Sequence, residues 1–194
     1  GLLGLLSAAE VGGAGEGARA AVAVIERLAR ACASTAMVTC MHYAGAAVLE
    51  RFGPEGVRRA VARGEHLSTL AFSEAGSRSH FWAPVSTARV VADGVHLNAA
   101  KSWITSAAHA TAYIWSSGDT AGSGASTIWL VPRDAAGLRL GDGFDGLGLR
   151  GNDSRPVSAE EVVIPEGNRL HTDGGGLQVM LEVVLPLFAL MSAA

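Results

Sequence analysis

Leu70–Phe81 reads L-A-F-S-E-A-G-S-R-S-H-F, and Leu97–Ser106 reads L-N-A-A-K-S-W-I-T-S. Each half reads as a short strand running into a polar turn. After Phe72, the small residues Ser73, Gly76, Ser77 and Ser79 leave backbone N–H groups uncovered, and such a cluster can form a nest for an anion such as phosphate. In the second half Trp103 and Thr105 flank Ile104, so strand alternation predicts the indole and the hydroxyl on one face. Side by side they could cover a flat heteroaromatic ring and hydrogen-bond its polar edge. A core aromatic in a sheet is the commoner setting for a tryptophan, so the reading rests on the two segments occurring together.

Upstream the pattern is helical. From Gly17 to about Ala33, Val22, Val24, Ile25, Leu28 and Ala29 share one broad face, with Arg19, Glu26, Arg27 and Arg30 largely opposite. Ser34 and Thr35 predict the cap of a second helix carrying Met37, Val38, Cys40 and Met41, which continues apolar through Tyr43–Phe52 until Gly53 and Pro54. Glu55–Arg63 is a short basic helix ending at Gly64, and the glycine-rich Ala8–Gly15 is a loop. Beyond the first 65 or so residues the periodicity changes. Runs at Leu67–Ser73, Val85–Val91, Gly94–Leu97, Lys101–Thr105, Thr111–Ser116, Thr127–Val131, Leu138–Leu140 and Val157–Ile164 predict short strands in a compact antiparallel barrel or sandwich. Asp93-Gly94 is the expected tight hairpin turn, and Asp119–Ser126 an exposed loop. Helix resumes at Leu177 after Gly174–Gly176.

With 49% hydrophobic and 17% charged residues the chain reads as well buried and ordered. A net charge of −3, with scattered basic residues, gives no footprint for nucleic acid. The apolar start Gly1–Ala9 lacks a basic leader and is not read as a signal peptide. Leu177–Ala194 is mostly apolar, but Gln178, Glu182 and Pro186 interrupt it, so a buried helix is expected rather than a membrane span. Cys32 and Cys40 form no disulfide or zinc framework and suit a reducing cytoplasm, the expected location. The histidines lack ligand spacing, so no metal is expected. Gly141–Gly146 matches G-x-G-x-x-G, but no helix begins there, and the match is accidental. Nothing places Ser, His and Asp as a triad.

Taken together, the two opening segments resemble the middle domain of the acyl-CoA dehydrogenase family of flavoproteins. That family carries a T-E-P-G-x-G-S-D-like turn and then N-G-x-K-x-W-I-T; here Ser73–His80 reads S-E-A-G-S-R-S-H and Asn98–Thr105 reads N-A-A-K-S-W-I-T. The resemblance covers nearly the whole chain, in the family's order of helix, sheet, helix. It implies an α+β fold: a partial helical N-terminal domain over residues 1–66, an antiparallel β-barrel or sandwich over 67–170 that binds flavin, and the beginning of a helical C-terminal domain over 171–194. It also implies that the chain is a portion of a longer protein.

The implied cofactor is FAD. By this resemblance Trp103 packs against the flavin ring, Thr105 bonds its polar edge, Ser73 and the backbone of Phe72 oppose it, and Ser79 meets the pyrophosphate. Ala75 stands where the family has proline, Arg78 where it has glycine and His80 where it has aspartate. Arg78 could bond a phosphate of FAD or of the CoA substrate, or obstruct the close backbone approach that glycine allows. Met37, Cys40 and Met41 align with the family's acyl pocket, although such a stripe is more often core.

The implied reaction is α,β-desaturation of an acyl-CoA or related acyl thioester. A glutamate takes the α-proton while hydride passes from the β-carbon to flavin. In some members that glutamate falls at the position of Leu187; in most it lies in the C-terminal domain, so the base is expected downstream of Ala194. Phe188 stands where the family usually keeps arginine, and Glu182 is one turn early. An electron-transfer flavoprotein as acceptor and a homodimer or homotetramer are the implied partners. The alternatives are a flavin-dependent monooxygenase on the same scaffold and a catalytically silent homologue that binds a partner or an acyl thioester.

Overall fold

A computed structural model of the chain describes residues 1–78, 80–143 and 145–194. Helices α1 (Ala18–Ala29), α2 (Ala33–Phe52) and α3 (Glu55–Arg63) precede strands β1 (Ser68–Ala71), β2 (Thr87–Val91), β3 (Gly94–Ile104), β4 (Ala112–Gly118), β5 (Ser126–Pro132), β6 (Leu138–Leu140) and β7 (Arg155–Ile164). The last helix starts as α4 (Gly176–Val179), passes through a π-helical turn at Met180–Val184 and ends as α5 (Leu185–Ser192).

The strands form two sheets, ordered β1-β4-β5 and β2-β3-β7-β6. They stay separate, so the sandwich reading holds and no barrel closes. The first sheet is the middle layer of three, which explains why β4 and β5 carry continuous apolar runs, Ala112–Trp115 and Ile128–Val131, that face both ways. Tyr113, Trp115, Trp129 and Val131 pack against Val95, Leu97, Val157 and Val162 of the second sheet. Ala112, Ile114, Ile128 and Leu130 turn the other way, onto Tyr43, Ala44, Val48 and the last helix.

The close approach of α2 to the middle sheet depends on Gly45. A Cβ there would lie 2.8 Å from Ser68 Cβ and 3.3 Å from Ile114 Cγ1. One turn earlier, His42 Nδ1 accepts the Ser68 N–H at 3.1 Å, so its Nε2–H donates to the Leu3 carbonyl at 3.0 Å. The Tyr43 hydroxyl donates to the Leu2 carbonyl at 2.9 Å. These bonds tie the N-terminal segment, α2 and β1 together.

Nearby, His66 is buried with no partner for Nε2, and burial, aided by His42, pulls its pKa down to about 4. Its stabilising effect as a neutral ring is complete above the unfolded value near 6.5 and is lost as pH falls towards 4, where the unfolded chain binds the extra proton. The loss should reach about 3 kcal/mol. Urea unfolding at neutral pH and at about pH 4.5 checks it, and His66→Gln should flatten the difference, leaving a residue from His42, whose pKa burial also lowers.

Three expectations need correction. The sheets are not wholly antiparallel: β1 pairs with β4 in parallel, because β2 and β3 intervene in the other sheet. The two runs expected at Gly94–Leu97 and Lys101–Thr105 are one strand, bent by register shifts at Leu97/Ala99 and Lys101/Ile104. The hairpin loop is Ala92-Asp93; Gly94 already pairs with Val91, and a Cβ on it would meet the Ile164 carbonyl oxygen at 2.4 Å. Among the described residues no helix is long and apolar enough to cross a membrane.

Candidate functional site

A cleft of about 270 Å³ opens where the exit of β1, the end of β3, α2 and the last helix meet. That places it at the lower edge of the size range of small-molecule pockets, roughly 300 Å³ and upward. Its two walls differ in chemistry. One carries Ser73, Ser102, Trp103 and Thr105; the other carries Met41, Phe72, Phe81, Met180, Val184 and Phe188.

The polar wall is built by pairing between the segment that follows β1 and the last part of β3. Ser102 N–H donates to the Ser73 carbonyl and Ala75 N–H to the Ala100 carbonyl, both at 2.9 Å. Glu74 and Lys101 then face inward while Ser73 and Trp103 face out. Trp103 and Thr105 do line one cleft, but simple alternation is not the cause. Trp103 has φ +48 at the second register shift of β3 and is 59% exposed, whereas Trp115 and Trp129 are fully buried. Thr105 lies just past the strand, 7% exposed, with its hydroxyl 3.5 Å from that of Ser154.

The other expected residues divide. Phe72, Ser73 and Met41 line the cleft; Met37 and Cys40 do not. Cys40 belongs to the helical core, where burial pushes its thiol up to about 11. Arg78 is exposed, lies outside the cleft lining and has φ +50. It therefore occupies the left-handed conformation that glycine enters freely, at a cost of about 1 kcal/mol. Ser79 lies outside the described residues.

The last helix supplies residues that sequence reading missed. Met180, Val184 and Phe188 recur every fourth position along the cleft, joined by Leu185. The Leu185 N–H bonds the Met180 carbonyl across the π turn, and Pro186 has no N–H. The carbonyls of Leu181 and Glu182 thus lose their usual donors. Pro186 in mid-helix was the available signal for this irregularity, and π turns recur at functional sites.

Glu182 is turned away. It lines a separate groove with Leu187, lies 3.6 Å from Arg51 and accepts from Gln178 at 3.0 Å. Among the described residues no carboxylate lines the cleft. The arrangement can hold a flat, polar-edged ring on one wall and a hydrocarbon group on the other, with no acid or base of its own between them.

Comparison with known proteins follows the same outline. The profile of the acyl-CoA dehydrogenase N-terminal domain matches residues 1–64, and that of the acyl-CoA dehydrogenase middle domain matches residues 69–162. The chain is 32% identical to the human mitochondrial short-chain specific acyl-CoA dehydrogenase over 194 residues, covering 95% of the chain and 46% of that protein. Among solved structures, the FAD complex of an acyl-CoA dehydrogenase from Bacillus anthracis superposes with a TM-score of 0.85 at 26% identity, covering 94% of this chain and 32% of that one. Butyryl-CoA dehydrogenase from Megasphaera elsdenii superposes with a TM-score of 0.87 at 21% identity, covering 94% and 51%. The chain therefore spans about half the length of the curated relatives it matches.

Proposed function

Because this chain belongs to the acyl-CoA dehydrogenase family, we propose that it forms the N-terminal half of a FAD-dependent oxidoreductase that desaturates an acyl-CoA thioester between its α and β carbons. One observation carries the reading. Trp103, at the end of β3 in the second sheet, is left open while Trp115 and Trp129 of the first sheet are fully buried, and it stands in a cleft beside Ser73 and Thr105. An exposed indole with hydroxyls around it fits a three-ring cofactor with a polar edge.

When bound, FAD would supply the hydride acceptor. Trp103 would pack on the ring, with Thr105, Ser73 and the Phe72 backbone at its edges and Ser79 towards the pyrophosphate. The chain's own residues then shape the substrate side. Met41, Phe81, Met180, Val184 and Phe188 exclude water from the acyl group, and their soft surfaces accommodate a hydrocarbon. In the proposed division into 1–66, 67–170 and 171–194, the cleft lies where all three parts meet. Proton abstraction falls to a carboxylate outside these residues, since Glu182 faces Arg51 and Leu187 faces the other groove. An electron-transfer flavoprotein as acceptor, a homodimer or homotetramer, and a cytoplasmic location complete the proposal.

The lack of a carboxylate among the described cleft residues favours one second reading, a flavin monooxygenase on the same scaffold. Anaerobic mixing of the FAD-loaded full-length protein, which brings the expected carboxylate, with a panel of acyl-CoAs separates the two. Loss of the flavin's visible absorbance supports the dehydrogenase. Unchanged absorbance, with oxygen insertion only after external reduction, supports the monooxygenase.

A further inference from the structure

Behind the cleft lies a charge pair with no part in the proposed chemistry. Lys101 Nζ, on β3 of the second sheet, is 2.5 Å from Oε1 of Glu74, which follows β1 of the first sheet, and the two side chains are 0% and 1% exposed. Both partners are saturated from either sheet. Lys101 also donates to the carbonyl and hydroxyl of Ser116 on β4, at 2.7 and 3.1 Å, and lies 5.0 Å over the Trp115 ring. Glu74 Oε2 accepts the N–H groups of Val85 and Ser86 just ahead of β2, at 2.6 and 3.0 Å, and Oε1 accepts the Ser86 hydroxyl at 2.5 Å. The exit of β1, the entry to β2, β3 and β4 are thus bonded at one point. The immediate neighbours of the pair carry the polar wall: Ser73 precedes Glu74, and Ser102 and Trp103 follow Lys101.

Stability does not account for this arrangement. Burial pulls the Lys101 ammonium down to about 8 against the attraction of Glu74. Burial also acts to raise the Glu74 carboxyl, but Lys101 and the bonds from Ser86 outweigh it and hold the group below its ordinary value. Both are therefore ionised at neutral pH, and the ammonium gives way first as pH rises. A lysine with a folded value below its unfolded one weakens folding at neutral pH. The unfolded chain binds more protons between the two values, so this group's contribution to stability grows as pH climbs from about 8. Replacing a buried pair by well-packed apolar groups is often neutral or stabilising, so stability alone does not explain its presence.

We propose that Glu74 and Lys101 are positioning residues for the cleft: their buried pair clips the end of the sandwich and sets the spacing at which Ser73, Ser102 and Trp103 meet a flat cofactor. The proposal rests on the flavin reading above only for the identity of that cofactor. Glu74 is the charged group facing Lys101 among the described residues; Ser86, Ser116 and Trp115 are neutral, and Arg139, which lines the same outer groove, is exposed and paired with Glu160.

The test compares the wild-type protein with the double variant Glu74→Gln/Lys101→Met, which removes both charges and keeps similar volume. The readouts are thermal melting, FAD affinity by titration, and the indole N–H resonance of Trp103, assigned by its loss in Trp103→Phe. In the wild type, raising pH until the Lys101 side-chain resonance reports the loss of its proton should move the Trp103 resonance and weaken FAD binding about tenfold, while the melting temperature does not fall. The double variant should melt close to the wild type, yet show a displaced, pH-independent resonance and bind FAD about tenfold more weakly. A wild-type Trp103 resonance that stays fixed while Lys101 loses its proton overturns the proposal, with or without a foldable variant. So does a double variant whose resonance coincides with the wild type's. Failure of the wild type to bind FAD would end the reading of the preceding subsection, and the resonance would still decide this one.

Discussion

Lys101→Met alone should destabilise the chain by about 3–5 kcal/mol, because Met, unlike the neutral amine that Lys101 becomes at high pH, leaves both the Glu74 carboxylate and the Ser116 carbonyl without the donor that Lys101 supplies. Glu74 would remain 6% exposed, still held by the Val85 and Ser86 N–H groups, but without its cation. The carboxylate must then take up a proton, so the loss should be largest at neutral pH and shrink on acidification when taken as the difference from the wild type at each pH, in which the contribution of the buried histidines cancels. Urea unfolding as a function of pH measures both features. Adding Glu74→Gln should recover most of the loss, because a neutral amide oxygen can still accept one of those N–H groups without bringing a charge. A Lys101→Met chain as stable as the wild type would mean that the pair is solvated or rearranged.

Trp103→Ala should weaken FAD binding by about 1–3 kcal/mol, roughly fivefold to 150-fold, the range for removing an aromatic platform from beneath a heteroaromatic ring. Because the side chain is 59% exposed, the melting temperature of the cofactor-free chain should hardly change. This separates Trp103 from Trp115 and Trp129, which are fully buried between the sheets; their truncation should cost about 3–5 kcal/mol of stability. Equal FAD affinities of the Trp103→Ala and wild-type chains, measured by titration, would remove Trp103 from the site.

Much of this was legible from local pattern. The change from helical to alternating periodicity near residue 65 and the return to helix after Gly174–Gly176 give the order of elements. The paired segments around Ser73 and Trp103 do meet in one cleft. What was hidden depends on long-range pairing. Asn98, Ala99 and Ala100 have little strand propensity, yet they continue β3 because β2 pairs with Asn98 and β7 with Ala99 and Ala100. Gly94 looked like a turn residue, but it is needed where β3 passes the Ile164 carbonyl. In α2, Met37, Cys40 and Met41 were indistinguishable, because a helix buried on most of its surface shows no polar face from which to tell cleft from core. The apolar wall of the last helix was obscured in the same way, and the π turn before Pro186 shifts its spacing. Lys101 read as one letter of a motif; only its contacts with Glu74 and Ser116 reveal it as buried.

The flavin content of the purified protein, followed by titration of the cofactor-free form with FAD, tests the central claim most directly. The account predicts a yellow protein with one FAD per chain, in which the share of tryptophan fluorescence that Trp103→Phe removes, the Trp103 fluorescence, is quenched as FAD returns. A colourless protein that takes up no FAD, with Trp103 fluorescence unchanged throughout the titration, would contradict it.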